Sequence, residues 1–209
     1  MDILHKAINQ YIEDRYRDQD SVLAEMEAYG QKRDFPLVGP QVGRLFFILT
    51  KLLKPKRVFE MGSGYGYSAY WFAKALADGG TVYQTEYAEE NSLKAREFFE
   101  KGGLTPKTEF LVGDALDLID AVDGQFDIIF IDMDKKNYPA AFEKSKKRLN
   151  PGGLFMADNT LWFGKVLDRL PDEDTRGILK FTELLFKDPD FSSTIVPVRD
   201  GVAIGYKLK

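Results

Sequence analysis

The sequence predicts an α/β fold: a mostly parallel sheet of seven strands with helices on both faces, ending in an antiparallel C-terminal hairpin. Three observations carry this. From Arg57 onward, short apolar runs alternate with amphipathic segments, as in a parallel sheet covered on both sides. Three glycines, Gly62, Gly64 and Gly66, separate the first run from the helical segment after it. The last two runs flank Arg199-Asp200-Gly201, a short turn that reads as a hairpin.

Taken in order, Leu4, Ile8, Tyr11 and Ile12 share one helical face, and a second helix runs from Ser21 towards Tyr29. The stretch "VGRLFFILTKLL" lacks strand alternation and reads as a buried helix, stopped before Pro55. Strands follow at "RVFEMG", "TVYQTEY", "TEFLVGD", "FDIIFID" and "GLFMADN". Between and after them, helices are predicted at Ser68–Ala77, Ala88–Lys101, Ala115–Ala121 and Asn137–Leu149. A helix over Asp174–Lys187 precedes the hairpin strands "FSSTIVPV" and "VAIGYKL". The reading is one domain over 1–209, with N-terminal helices over 1–54 and a Rossmann-like core over 55–209.

Composition narrows the chemistry. A chain of 209 residues, 44% hydrophobic and 30% charged, can bury a sizeable core. A net charge of −4 gives no basic footprint for nucleic acid. With no cysteine, disulfides, thiolate nucleophiles and Cys-type zinc sites are excluded. The single histidine is His5, so acid–base chemistry in the core would use Asp, Glu, Lys or Tyr. No signal-peptide or membrane-spanning run is present, and the expected location is cytoplasmic with no membrane partner.

Glycines at Gly62, Gly64 and Gly66 let the backbone turn tightly and approach a ligand, although a glycine turn in any βα unit looks similar. Glu86 ends the second strand, where a carboxylate can accept both ribose hydroxyls of an adenosine cofactor. The spacing is G-x-G-x-G, and Glu60 precedes it. An acid there suits a cofactor with a positive end, such as S-adenosylmethionine, and opposes the pyrophosphate of NAD. Asp114 and Ala115 fall where the adenine edge would lie, and Asp114 also suits the N-cap of the next helix.

The fourth strand ends at Asp132 and the fifth at Asp158-Asn159. If these strands are neighbours, two carboxylates and an amide oxygen converge beyond the sheet. Such an all-oxygen set suits Mg²⁺ first, and also Ca²⁺ or Mn²⁺, whereas zinc would ask for His or Cys. Either aspartate alone would read as a helix cap. Lys135 follows Asp132 by three residues, and a lysine beside a divalent cation is driven towards its neutral form, as a base requires.

With these motifs in place, "FEMGSGYGYSA", "FIDMDKKNY", "NPGGLFMADNTLW" and "VPVRDGVAIGYK" resemble the cation-dependent class I O-methyltransferases. The caffeoyl-CoA O-methyltransferase type and its bacterial homologues are nearer, catechol O-methyltransferase more distant. The resemblance covers roughly Pro36 to the C-terminus and implies the Rossmann-like class I methyltransferase fold. It implies Asp132, Asp158 and Asn159 as metal ligands and Lys135 as general base, with Asp132 shared between metal and catalysis. It implies a cofactor set of Val38, Glu60, Gly62, Ser63 and Ser68, then Glu86 at the ribose, Ala115 at the adenine and Asp134 near the methionine part. The family often dimerises, so a homodimer is expected.

Phe163 stands where the plant enzymes carry an Asn associated with substrate, so the expected acceptor is a small catechol-like or hydroxycinnamate-like phenol. Some bacterial members methylate a hydroxylated uridine in tRNA, and a tRNA acceptor stays open against the acidic charge balance. A nicotinamide-dependent oxidoreductase is the alternative of a different class. Against it stand Glu60, the hairpin and the lack of a catalytic Tyr-x-x-x-Lys arrangement.

Overall fold

A computed structural model of the chain describes residues 3–16 and 20–209. Three helices come first: α1 (Lys6–Glu13), α2 (Ser21–Arg33) and α3 (Gly39–Leu53). The alternating section is β1 (Arg57–Met61), α4 (Tyr67–Ala75), β2 (Thr81–Glu86), α5 (Glu89–Lys101), β3 (Thr108–Val112) and α6 (Ala115–Ala121). It continues with β4 (Phe126–Ile131), α7 (Tyr138–Arg148), β5 (Leu149–Ala157) and α8 (Glu173–Lys187), and the hairpin β6 (Phe191–Val196) and β7 (Val202–Lys207) closes it.

All seven strands join one sheet in the order β3-β2-β1-β4-β5-β7-β6. β1 pairs in parallel with both β2 and β4. The chain winds outward in opposite directions from that pair, so a crevice opens beyond their carboxyl ends. β7 alone runs antiparallel to its neighbours β5 and β6.

Strand alternation divides the core into two layers. Val58, Ile128, Phe130 and Met156 pack with α2 to α5 on one face, while Phe59, Ile129, Ile131 and Phe155 pack with α6 to α8 on the other. Burial on both faces is why these strands read as almost unbroken apolar runs.

Several element boundaries shift by one or two residues from the prediction. The helix expected to reach Leu149 ends at Arg148, and Leu149 already belongs to β5. Leu149 pairs with Phe126, but the register then slips, and pairing resumes at Ile128 with Leu154. The slip loops out the intervening residues, and Gly152 adopts a φ of +80° that permits it. The helix expected over Ser68–Ala77 runs from Tyr67 to Ala75, because Leu76 turns to an extended conformation. Leu4 precedes α1, which buries no residue, and Ile8 and Tyr11 face solvent. Among the described residues no helix is long and apolar enough to cross a membrane.

Candidate active site

The glycine loop joins β1 to α4 at the switch point. Gly62 has a φ of +85°, and a Cβ there would sit 2.4 Å from the Asp132 carbonyl oxygen. Only a residue without a side chain lets the end of β1 lie so close to the end of β4. Ser63 N–H donates to the Thr85 carbonyl at 2.8 Å, tying the loop to β2, and Gly66 N–H donates to the Ser63 carbonyl at 2.8 Å.

Above this loop lies a cavity of about 630 Å³. Val38 lines it ahead of α3, Gly62, Ser63, Gly64 and Ser68 line it from the loop and α4, and Glu86 from β2. Asp114 and Ala115 close one side, and Asp132, Asp134 and Lys135 the other. Glu60, Gly66, Asp158 and Asn159 are not part of this lining. Gly66 faces away from it, towards Gln84, Ala95 and Phe99, and its φ of +85° starts α4, so its local role is the turn. Phe35, Tyr87, Asn91 and Met133 also line the cavity and carry no motif of their own in the sequence.

Two carboxylates shape the cofactor end. Glu86 Oε1 accepts from Ala88 N–H at 2.9 Å and from Asn91 Nδ2 at 3.2 Å, which fixes the side chain and leaves its other oxygen uncommitted to these donors. Glu60 is fully buried beneath the loop; Ser68 Oγ donates to its Oε1, while Oε2 has no partner. Burial drives its carboxyl up to about 8, with Asp132 and Glu86 adding to the rise and Ser68 and Ser63 opposing it. Asp114 Oδ1 accepts from Leu116 N–H at 2.8 Å, so it does cap α6 while lining the cavity.

The other end gathers charge. β4 and β5 are parallel neighbours with Ile131 opposite Ala157, so Asp132 and Asp158 leave the sheet side by side. Lys135 is buried at 8% exposure, with Nζ 2.7 Å from Asp132 Oδ1 and 5.6 Å from the centre of the Trp162 ring. Asp158 is 1% exposed and neither carboxylate oxygen has a hydrogen-bond partner. Burial first, and then Asp132, push its carboxyl well above the usual range. Asn159 Nδ2 donates to Asp200 Oδ2 at 3.3 Å, which directs its amide oxygen elsewhere. Among the described residues no three carboxylate or imidazole groups gather as a metal cluster; the predicted trio has two carboxylates and an amide.

Two residues read only as turn belong to this end. Asp200 is fully buried and also accepts from Phe163 N–H, so the hairpin turn holds the segment after β5. Arg199 NH1 lies 3.8 Å from Asp158 Oδ2. A carboxylate and a guanidinium in an exposed-looking Arg-Asp-Gly turn give no sequence signal for burial.

A family profile described as O-methyltransferase matches residues 14–208. The chain belongs to the O-methyltransferase family. This family member is 30% identical to a catechol O-methyltransferase of Niastella koreensis, over 96% of each chain. It is 31% identical to caffeoyl-CoA O-methyltransferase 2 of Petunia hybrida, covering 95% of this chain and 89% of that one. Among solved structures, the O-methyltransferase of Bacillus cereus in complex with SAH superposes with a TM-score of 0.88 at 32% identity, covering 96% of this chain and 97% of the other.

Proposed function

We propose that the chain transfers the methyl group of S-adenosylmethionine to one hydroxyl of a vicinal dihydroxy phenol, assisted by a divalent cation. The observation that carries the reading is the meeting of Asp132, Lys135 and Asp158 beside the cavity built on the glycine loop. Two relatives named for catechol and caffeoyl-CoA methylation support the acceptor class.

The residues fit both groups. The cavity has a fixed carboxylate, Glu86, at one end for ribose hydroxyls, and the buried acid Glu60 lies beneath the loop outside the lining. When bound, S-adenosylmethionine supplies an electrophilic methyl on a positive sulfur. For the cation, Asp132, Asp158 and Asn159 would be the ligands, and Asp158 has two buried oxygens that no protein group satisfies. When bound, the cation supplies Lewis-acid stabilisation of a phenolate oxygen.

Lys135 is the base of this reading. A phenol of pKa about 10 is roughly 10⁻³ ionised at neutral pH, a penalty of about 4 kcal/mol. With a divalent charge beside it, Lys135 would be driven towards its neutral amine, whose Nζ would take the proton of the acceptor hydroxyl while Asp132 steadies the resulting ammonium. Trp162 and Tyr138 flank the lysine with their rings and keep bulk water from two of its sides.

The test is a panel of acceptors incubated with S-adenosylmethionine and Mg²⁺, with products resolved by mass. Monomethyl ethers from catechol and caffeate, and none from phenol or from tRNA, are expected. Equal methylation of monophenols, or methylation of tRNA alone, would overturn the acceptor class.

A further inference from the structure

Arg199 occupies an unusual place. It sits in the β6–β7 turn with a φ of +50°, a backbone conformation disfavoured for any residue bearing a Cβ. Its side chain lies over the start of α3, where a Cβ on Gly39 would meet Arg199 Cδ and Nε at 3.8 Å. From there the guanidinium reaches Asp158, at 3.8 Å from Oδ2. It makes no side-chain hydrogen bond among the described residues, and the side chain is 37% exposed, so it has room to leave.

Both carboxylates among the predicted ligands face a basic side chain. Asp132 faces Lys135 at 2.7 Å, and Asp158 faces Arg199 at 3.8 Å. Asp200, buried behind Asn159, adds a third carboxylate that takes its hydrogen bonds from Asn159 and Phe163. Each of the two carboxylates offered to a cation therefore already has a basic neighbour, held closely at Asp132 and loosely at Asp158. Arginine stays charged throughout the accessible pH range, so this neighbour does not titrate away.

We propose that Arg199 is an internal counter-ion for Asp158 that competes with the divalent cation and holds cation affinity down. The proposal rests on the cation reading of Asp132, Asp158 and Asn159. A loosely held guanidinium beside the ligand opposes a divalent charge electrostatically, and loading the site requires the side chain to swing outward or to be tolerated. Arg199 acts here through Asp158 and not on the substrate.

The test is Mn²⁺ binding to the full chain without cofactor or acceptor, followed through the electron paramagnetic resonance signal of free Mn²⁺. Proteins compared are the parent, R199G, R199K and D158N, each checked for folding by circular dichroism. Glycine relieves the left-handed backbone, so R199G is expected to fold at least as well as the parent. R199G should bind Mn²⁺ at least about tenfold more tightly, equivalent to about 1.4 kcal/mol, while R199K stays within about threefold of the parent. Equal affinity in R199G and the parent, or equal tightening in R199G and R199K, overturns the counter-ion proposal and leaves the cation reading standing. Mn²⁺ binding that survives in D158N, or no binding even in R199G, overturns the cation reading itself.

Discussion

Lys135 Nζ and Asp132 Oδ1 lie 2.7 Å apart at the end of β4, joined by the short turn that leads into α7. The ammonium is buried and aromatic on two sides, and it borders both the cavity and the predicted cation ligands. That placement makes Lys135 the proton acceptor of the proposed reaction. Lys135→Met should lower kcat by about 10²–10⁴-fold, the usual range for a positioned acid–base group. Its affinity for S-adenosylhomocysteine by calorimetry should stay within about threefold. A matching loss of affinity would mean that Lys135 holds the cofactor instead.

Glu86 reaches the cavity in a rotamer set by Ala88 and Asn91. Glu86→Ala should weaken S-adenosylhomocysteine about 10- to 100-fold, the worth of hydrogen bonds to a charged group. Catalytic turnover at saturating cofactor should change little. Calorimetric titration checks the first statement and saturation kinetics the second.

Gly62 is a stability position. Alanine there would need a left-handed backbone and a Cβ 2.4 Å from the Asp132 carbonyl. Strain and overpacking together should cost about 2–4 kcal/mol. Urea denaturation of Gly62→Ala reads this directly; a loss under 1 kcal/mol would show that the ends of β1 and β4 separate easily.

Glu60 makes stability depend on pH. Its folded pKa of about 8 lies above the ordinary carboxylate value, so the folded state holds the proton more tightly than the unfolded chain. The associated stability is full below the unfolded pKa and is lost as pH rises through about 8. In the ligand-free protein, unfolding free energy should therefore fall between about pH 4.5 and 8, by at most about 1.4 kcal/mol per pH unit from this one group. Glu60→Gln should flatten part of that slope; Asp158, raised in the same direction, accounts for a further part.

Much of this was legible in the chain because the parallel strands are buried on both faces. "FDIIFID" and "RVFEMG" had no other reading, and their ends placed Asp132 and the glycine loop. The start of β5 was hidden, since Asn150-Pro151-Gly152-Gly153 looks like a loop and is in fact a slip within a strand. Gly66 shows the limit of reading a motif whole, for it shares the loop but turns its face to α5. Asp200 and Arg199 read only as a turn, because a hairpin turn is normally solvated. Nothing local announces that this one folds against the end of β5.

In the proposed reaction, methyl transfer needs a divalent cation held by Asp132 and Asp158. This requirement is tested most directly by the rate of catechol methylation in excess EDTA, after Mg²⁺ is restored, and in Asp132→Ala and Asp158→Ala. Loss of activity in EDTA, full recovery with Mg²⁺, and no recovery in either variant are expected. Undiminished methylation in EDTA, or full activity in both variants, would contradict it.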